Sequence, residues 1–492
     1  MKQSRRRFLR DSACGLTAAA MVSSLDRLGR VNAMVQQQLE VAADYKALVC
    51  IFLNGGTDAN NMIVPLDSEY NSYMSVRGLS GNPGTGAGLG IPQSILLPIN
   101  PASGRQFGLH PNLSPEVANP AQPFKGLLDV WSQGKLAVLC NYGSLVQPIT
   151  RAQYQANIGH PYQLFSHSDQ QTQQQTIVTN GVGQTGWGGR LAEKTGALNG
   201  NVVLPMNISV AGTSLFANGT LARQLAISAA PTTLSNLLVL NWSGLAGANP
   251  NAAGSSYRQV LGFDLDSLLV KGASETTNQA LTADAVLNQP DPVVGVFPNT
   301  SLGNQLKQVA KLIKIKDTLG MKRQIFFCFL GAFDTHTNQT GQNPASPNNG
   351  GANSGAQGSL LAQLSQAMRA FYDEMVAQGV SNSVTTFTLS DFSRTLQPSG
   401  TGSTTVGSDH AWGSHAFIMG GAVLGSTFYG AYPTLALGGP NDTDNRGRWI
   451  PTTSVDQYAA TLATWYGLAP TDVATVFPNL SKFSPANLGF LG

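Results

Sequence analysis

Five apolar runs recur along the chain, and each ends in glycine or a polar residue. They are "ALVCIFLNGG" (Ala47 to Gly56), "KLAVLCNYGS" (Lys135 to Ser144), "QIFFCFLGAFD" (Gln324 to Asp334), "VTTFTLSDF" (Val384 to Phe392) and "HAFIMGG" (His415 to Gly421). Short continuous apolar runs predict strands buried on both faces rather than strands with one wet side. Between the third and fourth runs, Leu361, Leu364, Met368, Phe371 and Met375 recur at steps of three and four, which predicts a helix. Ser359 is placed to cap its start, and Gly379 follows its end. "VDQYAATLATWYGLAP" (Val455 to Pro470) predicts a later helix stopped by Gly467. Buried strands alternating with helices predict an α/β fold: a doubly wound, largely parallel sheet covered on both faces.

Two regions break this rhythm. Residues of about 210–300 alternate less and include "LAGANPNAAGSS" (Leu245 to Ser256), which suggests an inserted cap region. "TGQNPASPNNGGANSGAQG" (Thr340 to Gly358) has the composition of a flexible polar loop. No tandem repeat is visible.

The N-terminus carries a different signal. "SRRRFLR" (Ser4 to Arg10) precedes "DSACGLTAAAMVSSL" (Asp11 to Leu25), and small residues follow at "VNA" (Val31 to Ala33). This resembles a twin-arginine export signal. Its apolar part, about 14 residues, is shorter than the roughly 20 needed to span a bilayer. Residues 1–33 are therefore expected to be cleaved, leaving a domain over 34–492 without a membrane span. The expected location is periplasmic or secreted, with the twin-arginine translocase as a partner during export.

Composition fits that picture. Only 11 % of the 492 residues are charged, against roughly 25 % in ordinary globular chains. Asn, Gln, Ser, Thr and 54 Gly fill the difference. The formal charge of +3 owes its sign to the leader. There Lys2, Arg5, Arg6, Arg7, Arg10, Arg27 and Arg30 outnumber Asp11 and Asp26 by five. The mature chain is close to neutral, so nothing in its charge suggests nucleic acid as a partner, and none is expected. Cys50, Cys140 and Cys328 each sit inside an apolar run and read as buried thiols rather than a disulfide framework.

Chemistry gathers at the ends of the expected strands, where sites of open α/β sheets form. Asp58 follows the first run. Ser166 and His167 follow the second, at what reads as a helix start in "LFSHSDQQTQQQ" (Leu164 to Gln175). Asp334 and His336 follow the third, and Asp391 ends the fourth. Asp409, His410 and His415 precede the fifth, in "GSDHAWGSH" (Gly407 to His415). Asp, His and a hydroxyl are ligands suited to a borderline divalent ion such as zinc, one ion or two. A serine opening a helix beside such an ion is placed for nucleophilic attack. Ordinary explanations exist for single pieces. Asp58 fits an Asx turn, Ser166 a helix cap, and Asp391 an ion pair with Arg394. His110 and His160, each before proline, fit structural hydrogen bonding.

Taken in order, these segments resemble the DUF1501 family of exported bacterial proteins, a branch of the alkaline phosphatase/sulfatase-like superfamily. The matching stretches include "SRRRFLR", "FLNGGTDANNMIVP", "LHPNLSP", "FSHSDQQTQQQ", "GWGGR" (Gly186 to Arg190), "LSDFSRTL" and "GSDHAWGSHAFIMGGAVLGSTFYGAYP". The resemblance implies an alkaline phosphatase-like sheet with metals at its strand ends. It assigns Asp58, Asp334, His336, Asp391 and one of His410 or His415 as ligands, with Asp409 in reserve. Ser166 becomes the nucleophile with His167 beside it, and Arg190 or Arg394 an anion-binding group. Two departures stand out: Asp334 and His336 are separated by one residue where the superfamily commonly has a longer gap, and Phe392 follows Asp391 where the superfamily pattern has histidine.

The expected function is an exported metal-dependent hydrolase of phosphate or sulfate esters, small or polymeric, acting through Ser166. The alternative is a secreted binding or surface scaffold that keeps the fold without the chemistry.

Overall fold

A computed structural model describes residues 42–78, 88–236, 290–341, 355–400 and 406–492, with a few helical positions between 270 and 287. The expected leader, most of the Thr340–Gly358 loop and the Leu245–Ser256 stretch lie outside the described residues.

Among the described residues, nine strands form the main sheet. Its order is β13 (Phe428–Tyr429), β5 (Leu136–Gly143), β12 (Ser414–Met419), β9 (Val384–Ser390), β1 (Lys46–Leu53), β8 (Arg323–Leu330), β6 (Asn207–Ser209) and β7 (Leu225–Ala226), with β14 (Thr453–Ser454) also on β5. The five apolar runs are β1, β5, β8, β9 and β12. β1 is buried at every position from Ala47 to Leu53. Successive side chains point to opposite faces, so both faces of the sheet are covered. Val49 pairs in register with Phe326 on one side and Thr386 on the other, both parallel.

β12 runs antiparallel to both β5 and β9. Its beginning, not its end, therefore lies at the carboxyl edge of its parallel neighbours. That is why residues preceding the fifth run reach the same edge as residues following the other four. The chain gets there through a hairpin of β10 (Arg394–Ser399) and β11 (Gly407–His410), in which Arg394 faces His410. A small separate sheet joins β2 (Ile63–Pro65), β4 (Phe107–Leu109) and β3 (Leu97–Ile99).

The helix through Leu361 and Met375 spans Ala356–Ala377. It begins before Ser359, at Gly355, because that glycine packs directly on the Gln339 to Gly341 backbone. A side chain there would meet the Gln339 carbonyl at 2.3 Å. Helix Ser301–Lys314 packs against it and also completes the sheet. β6 is short, so β8 outruns it, and the Gln305 amide pairs with Phe329 N–H (2.8 Å) and Phe329 C=O (2.9 Å) in its place. The last long helix, Val455–Tyr466, ends at Gly467 as its sequence predicts, and Ser454 closes a capping box at its start. Cys50, Cys140 and Cys328 are free and buried.

Candidate metal centre

Three histidines converge at the carboxyl edge of the sheet. His167 opens the helix His167–Thr176, which follows β5. His336 lies in the loop after β8, and His410 ends β11. The Nε2 atom of His410 stands 3.0 Å from Nε2 of His167 and 3.0 Å from Nε2 of His336. Asp334 adds an oxygen: Oδ1 is 3.4, 3.1 and 3.6 Å from the Nε2 atoms of His167, His336 and His410. Donor atoms of His167, Asp334 and His410 all lie within 4.8 Å of one another.

Each histidine is held from behind by an acceptor. His167 Nδ1 is 2.8 Å from Asp391 Oδ2, and His410 Nδ1 is 2.8 Å from the Phe165 carbonyl. His336 Nδ1 is 3.3 Å from Asp409 Oδ1. Carboxylates and carbonyls cannot donate, so Nδ1 carries the hydrogen in these contacts, and in the neutral imidazole Nε2 presents a lone pair. The His167 and His410 lone pairs and the Asp334 oxygen then face one point, with His336 Nε2 at its edge beside His410. They repel unless a cation stands among them. Ligands about 2.0–2.1 Å from a tetrahedral ion lie roughly 3.3 Å from each other, close to the 3.0, 3.4 and 3.6 Å spacings among His167, Asp334 and His410. The donor set therefore fits a divalent ion, and imidazole with carboxylate suits zinc.

The supporting groups explain why this chain folds so at the site. Asp391 is fully buried, and besides His167 it accepts from Gln171 Nε2 (2.9 Å) and Gly55 N–H (3.2 Å). Gly55, at φ 112°, is where β1's turn touches the β8 loop, and a side chain there would strike Asp334 N at 2.4 Å. Phe392 is no ligand. Its buried ring lies 4.7 Å from the His167 ring and 4.8 Å from the His410 ring, a floor beneath both. Phe165 has φ 73°, a left-handed backbone that is costly for a bulky residue. Its carbonyl is aimed at His410, and Arg448 clasps the arrangement by donating to the His410 carbonyl at 2.9 Å while covering the Phe165 ring.

Electrostatics follow from these contacts. The Asp391 hydrogen bond raises the His167 pKa above its ordinary value, whereas burial lowers that of His410. Burial pushes the Asp334 carboxyl up, but the Arg394 guanidinium outweighs it and holds the pKa below the usual value. Asp409 behaves alike through Arg446, with burial again outweighed. The side chains of Asp334 and His336 are 48 % and 44 % exposed, so the cluster opens to solvent.

Other expected site residues take different places. Asp58 is buried, with its oxygens taken by Arg77 (2.5 and 3.0 Å), Asn60 and Gln339. Its carboxylate is occupied by a buried ion pair and is not among the clustered ligands. Asp391 and Asp409 stand behind His167 and His336 rather than beside them. His167, expected as a catalytic partner of Ser166, instead points Nε2 into the cluster. His415 lies inside β12, where Nδ1 accepts the Asn141 N–H at 3.0 Å and burial lowers its pKa to about 4. Ser166 does sit at the helix N-cap, but its hydroxyl donates to Asp169 at 2.6 Å. Arg190 is spent on the carbonyls of Thr176, Thr185 and Val476. Arg394 is buried against the carbonyls of Gly55, Gly56 and Ser408 and against Asp334. Neither arginine is free to take an anion. Gln171, Arg446, Arg448 and the Phe165 carbonyl were not anticipated. A carbonyl leaves no trace in a sequence, though Gln171 falls one helical turn after His167, on the same face.

Fold and site together define an α/β protein with a largely parallel central sheet and a His/Asp cluster at its carboxyl edge. The chain belongs to the family described as "Protein of unknown function (DUF1501)", whose profile matches residues 45–446. No curated protein matches it. Among solved structures, Ps i-CgsB in complex with k-i-k-neocarrahexaose is similar at a TM-score of 0.33 and 7 % identity, over 89 % of this chain and 77 % of that one. The PsFucS1 sulfatase from Pseudoalteromonas sp. is similar at a TM-score of 0.29 and 10 % identity, over 94 % and 76 %. Among the described residues no helix is long and apolar enough to cross a membrane.

Proposed function

We propose that this chain is an exported metal-dependent hydrolase of anionic esters, phosphate or sulfate, on a sheet of the alkaline phosphatase-like type. The observation that carries the reading is the convergence of His167, His336 and His410 Nε2 with Asp334 Oδ1, each imidazole turned by an acceptor at Nδ1. His167, Asp334 and His410 hold one divalent ion, zinc by donor type, with His336 beside them. A bound ion supplies Lewis-acid polarisation of an ester oxygen. Asp391 and the Phe165 carbonyl fix the His167 and His410 imidazoles so that little reorganisation of these two accompanies binding. The ring of Phe392 fills the place of the further histidine that a second ion would need, which supports one ion rather than two. Ser166 is the nucleophile of this reading. It adjoins His167 at a helix N-terminus, and the Asp169 carboxylate accepts its proton-bearing oxygen's hydrogen bond. The leader and the periplasmic or secreted location belong to the same proposal.

The test is metal analysis of the purified mature chain, with hydrolysis of aryl phosphate and aryl sulfate by wild type, His410→Ala and Ser166→Ala. Metal-dependent turnover lost in both variants supports the full reading. Turnover that survives Ser166→Ala removes the serine from it. Metal bound without turnover on either ester leaves a metal-holding scaffold instead.

A further inference from the structure

The three imidazoles are not held alike. His167 bonds at 2.8 Å to a fully buried carboxylate, and His410 at 2.8 Å to a main-chain carbonyl. His336 has only a 3.3 Å contact with Asp409, longer than an ordinary N–H···O bond. Asp409 is itself drawn toward Arg446, whose guanidinium is 2.5 Å from its other oxygen. Exposure follows the same order: the His336 side chain is 44 % exposed, against 27 % for His167 and 24 % for His410.

The backbone under His336 is fixed. Ser408 N–H bonds to the Thr335 carbonyl at 3.2 Å, and Thr335 N–H to Phe333 at 2.8 Å. β11 presses so close at Gly407 that a side chain there would meet the His336 carbonyl carbon at 2.2 Å. Movement at His336 is therefore rotation of an imidazole on a pinned main chain, not displacement of a loop. His336 stands outside the mutually close set, which is His167, Asp334 and His410. Three protein ligands with one position left for substrate is the pattern of catalytic rather than structural zinc.

We propose that His167, Asp334 and His410 form a permanent tripod, and that His336 is an exchangeable fourth arm. Its imidazole rotates into the remaining position when no oxyanion is bound, and turns back, toward Asp409 and solvent, when an oxyanion ligand takes that position. The Asp409–Arg446 pair is the rest onto which the released imidazole turns. This proposal rests on the metal-centre reading above.

Cobalt(II) titration of the purified chain tests it, with visible absorption reporting coordination and inorganic phosphate as the competing oxyanion. His336→Ala and the size-conserving His336→Gln should bind cobalt within about 10-fold of wild type, while His167→Ala and His410→Ala weaken it about 100-fold or more. Both His336 variants should show an altered cobalt spectrum and respond to phosphate at lower concentration than wild type. If the His336 variants lose as much affinity as His167→Ala, His336 is a permanent ligand and the proposal fails. If their spectrum and phosphate response match wild type, His336 is no ligand, and it also fails. Absence of cobalt binding in wild type overturns the metal reading itself and this proposal with it.

Discussion

Nδ1 of His167 lies 2.8 Å from Oδ2 of Asp391, a carboxylate with no exposure to solvent. The contact joins two distant strand ends, since His167 follows β5 and Asp391 directly follows β9. It fixes which nitrogen of His167 is left to bind an ion. Asp391 thereby acts on the centre without touching its focus.

Replacing Asp391 tests that indirect role. Asp391→Asn keeps an oxygen for Gly55 N–H but lets the amide donate toward His167, which frees the other tautomer. Zinc affinity should fall by about 10–100-fold while one ion still binds at saturation. Isothermal titration measures both. Unchanged affinity would show that the buried carboxylate serves packing alone.

Asp58 is expected to matter for folding rather than for metal. Its ion pair with Arg77 has both side chains at 0 % exposure. Arg77→Met leaves the carboxylate buried and unpaired, at a cost of about 3–5 kcal/mol. Urea denaturation should register that loss, and the folded fraction should keep wild-type metal stoichiometry. Loss of the ion in folded Asp58→Asn would return Asp58 to the ligand set.

Stability of the metal-free chain should fall on acidification before ordinary carboxylates titrate. Burial lowers His110 to about 3 and His415 to about 4, from 6.5. Both stay neutral in the fold while the unfolded chain takes up protons, so stability is lost as pH drops below 6.5. Asp456 works the other way: burial raises it from 3.8 to about 6, so its contribution fades as pH rises through that window. Two histidines outweigh one carboxyl, and the net slope is loss toward acid. Denaturation in EDTA at pH 7.5 and 4.5 reads this slope, and His415→Asn should flatten it.

Metal should also stabilise. An ion that binds only the folded chain adds about 2.7 kcal/mol at one hundred times its dissociation constant. Thermal unfolding with zinc and then with excess EDTA should show a reversible rise and fall, absent in His410→Ala.

Sequence pattern made much of the fold legible because buried strands need apolar side chains on both faces. All five runs became strands of one sheet, and Gly467 ended its helix. The hidden feature was the direction of β12, since pairing sense leaves no mark in side-chain pattern. That direction places His410 at the carboxyl edge and carries His415 into the strand interior. Within the site, residue types and strand-end positions pointed to Asp334, His336 and His410. They could not distinguish a ligand from its support, because Asp391 and Asp409 differ from Asp334 only in which atom they face. Asp58 was misplaced for a similar reason: its partner Arg77 lies in a separate helix, Glu69–Arg77, with no pattern linking the two.

The most direct measurement is metal content of the chain after reconstitution with zinc and removal of loosely bound ions. We expect about one ion per chain in wild type, as the His167, Asp334 and His410 cluster implies, and near none in a His167→Ala/His410→Ala double variant that remains folded. A folded wild-type chain that retains no zinc, manganese or cobalt above the double variant would contradict the metal centre and the hydrolase built on it.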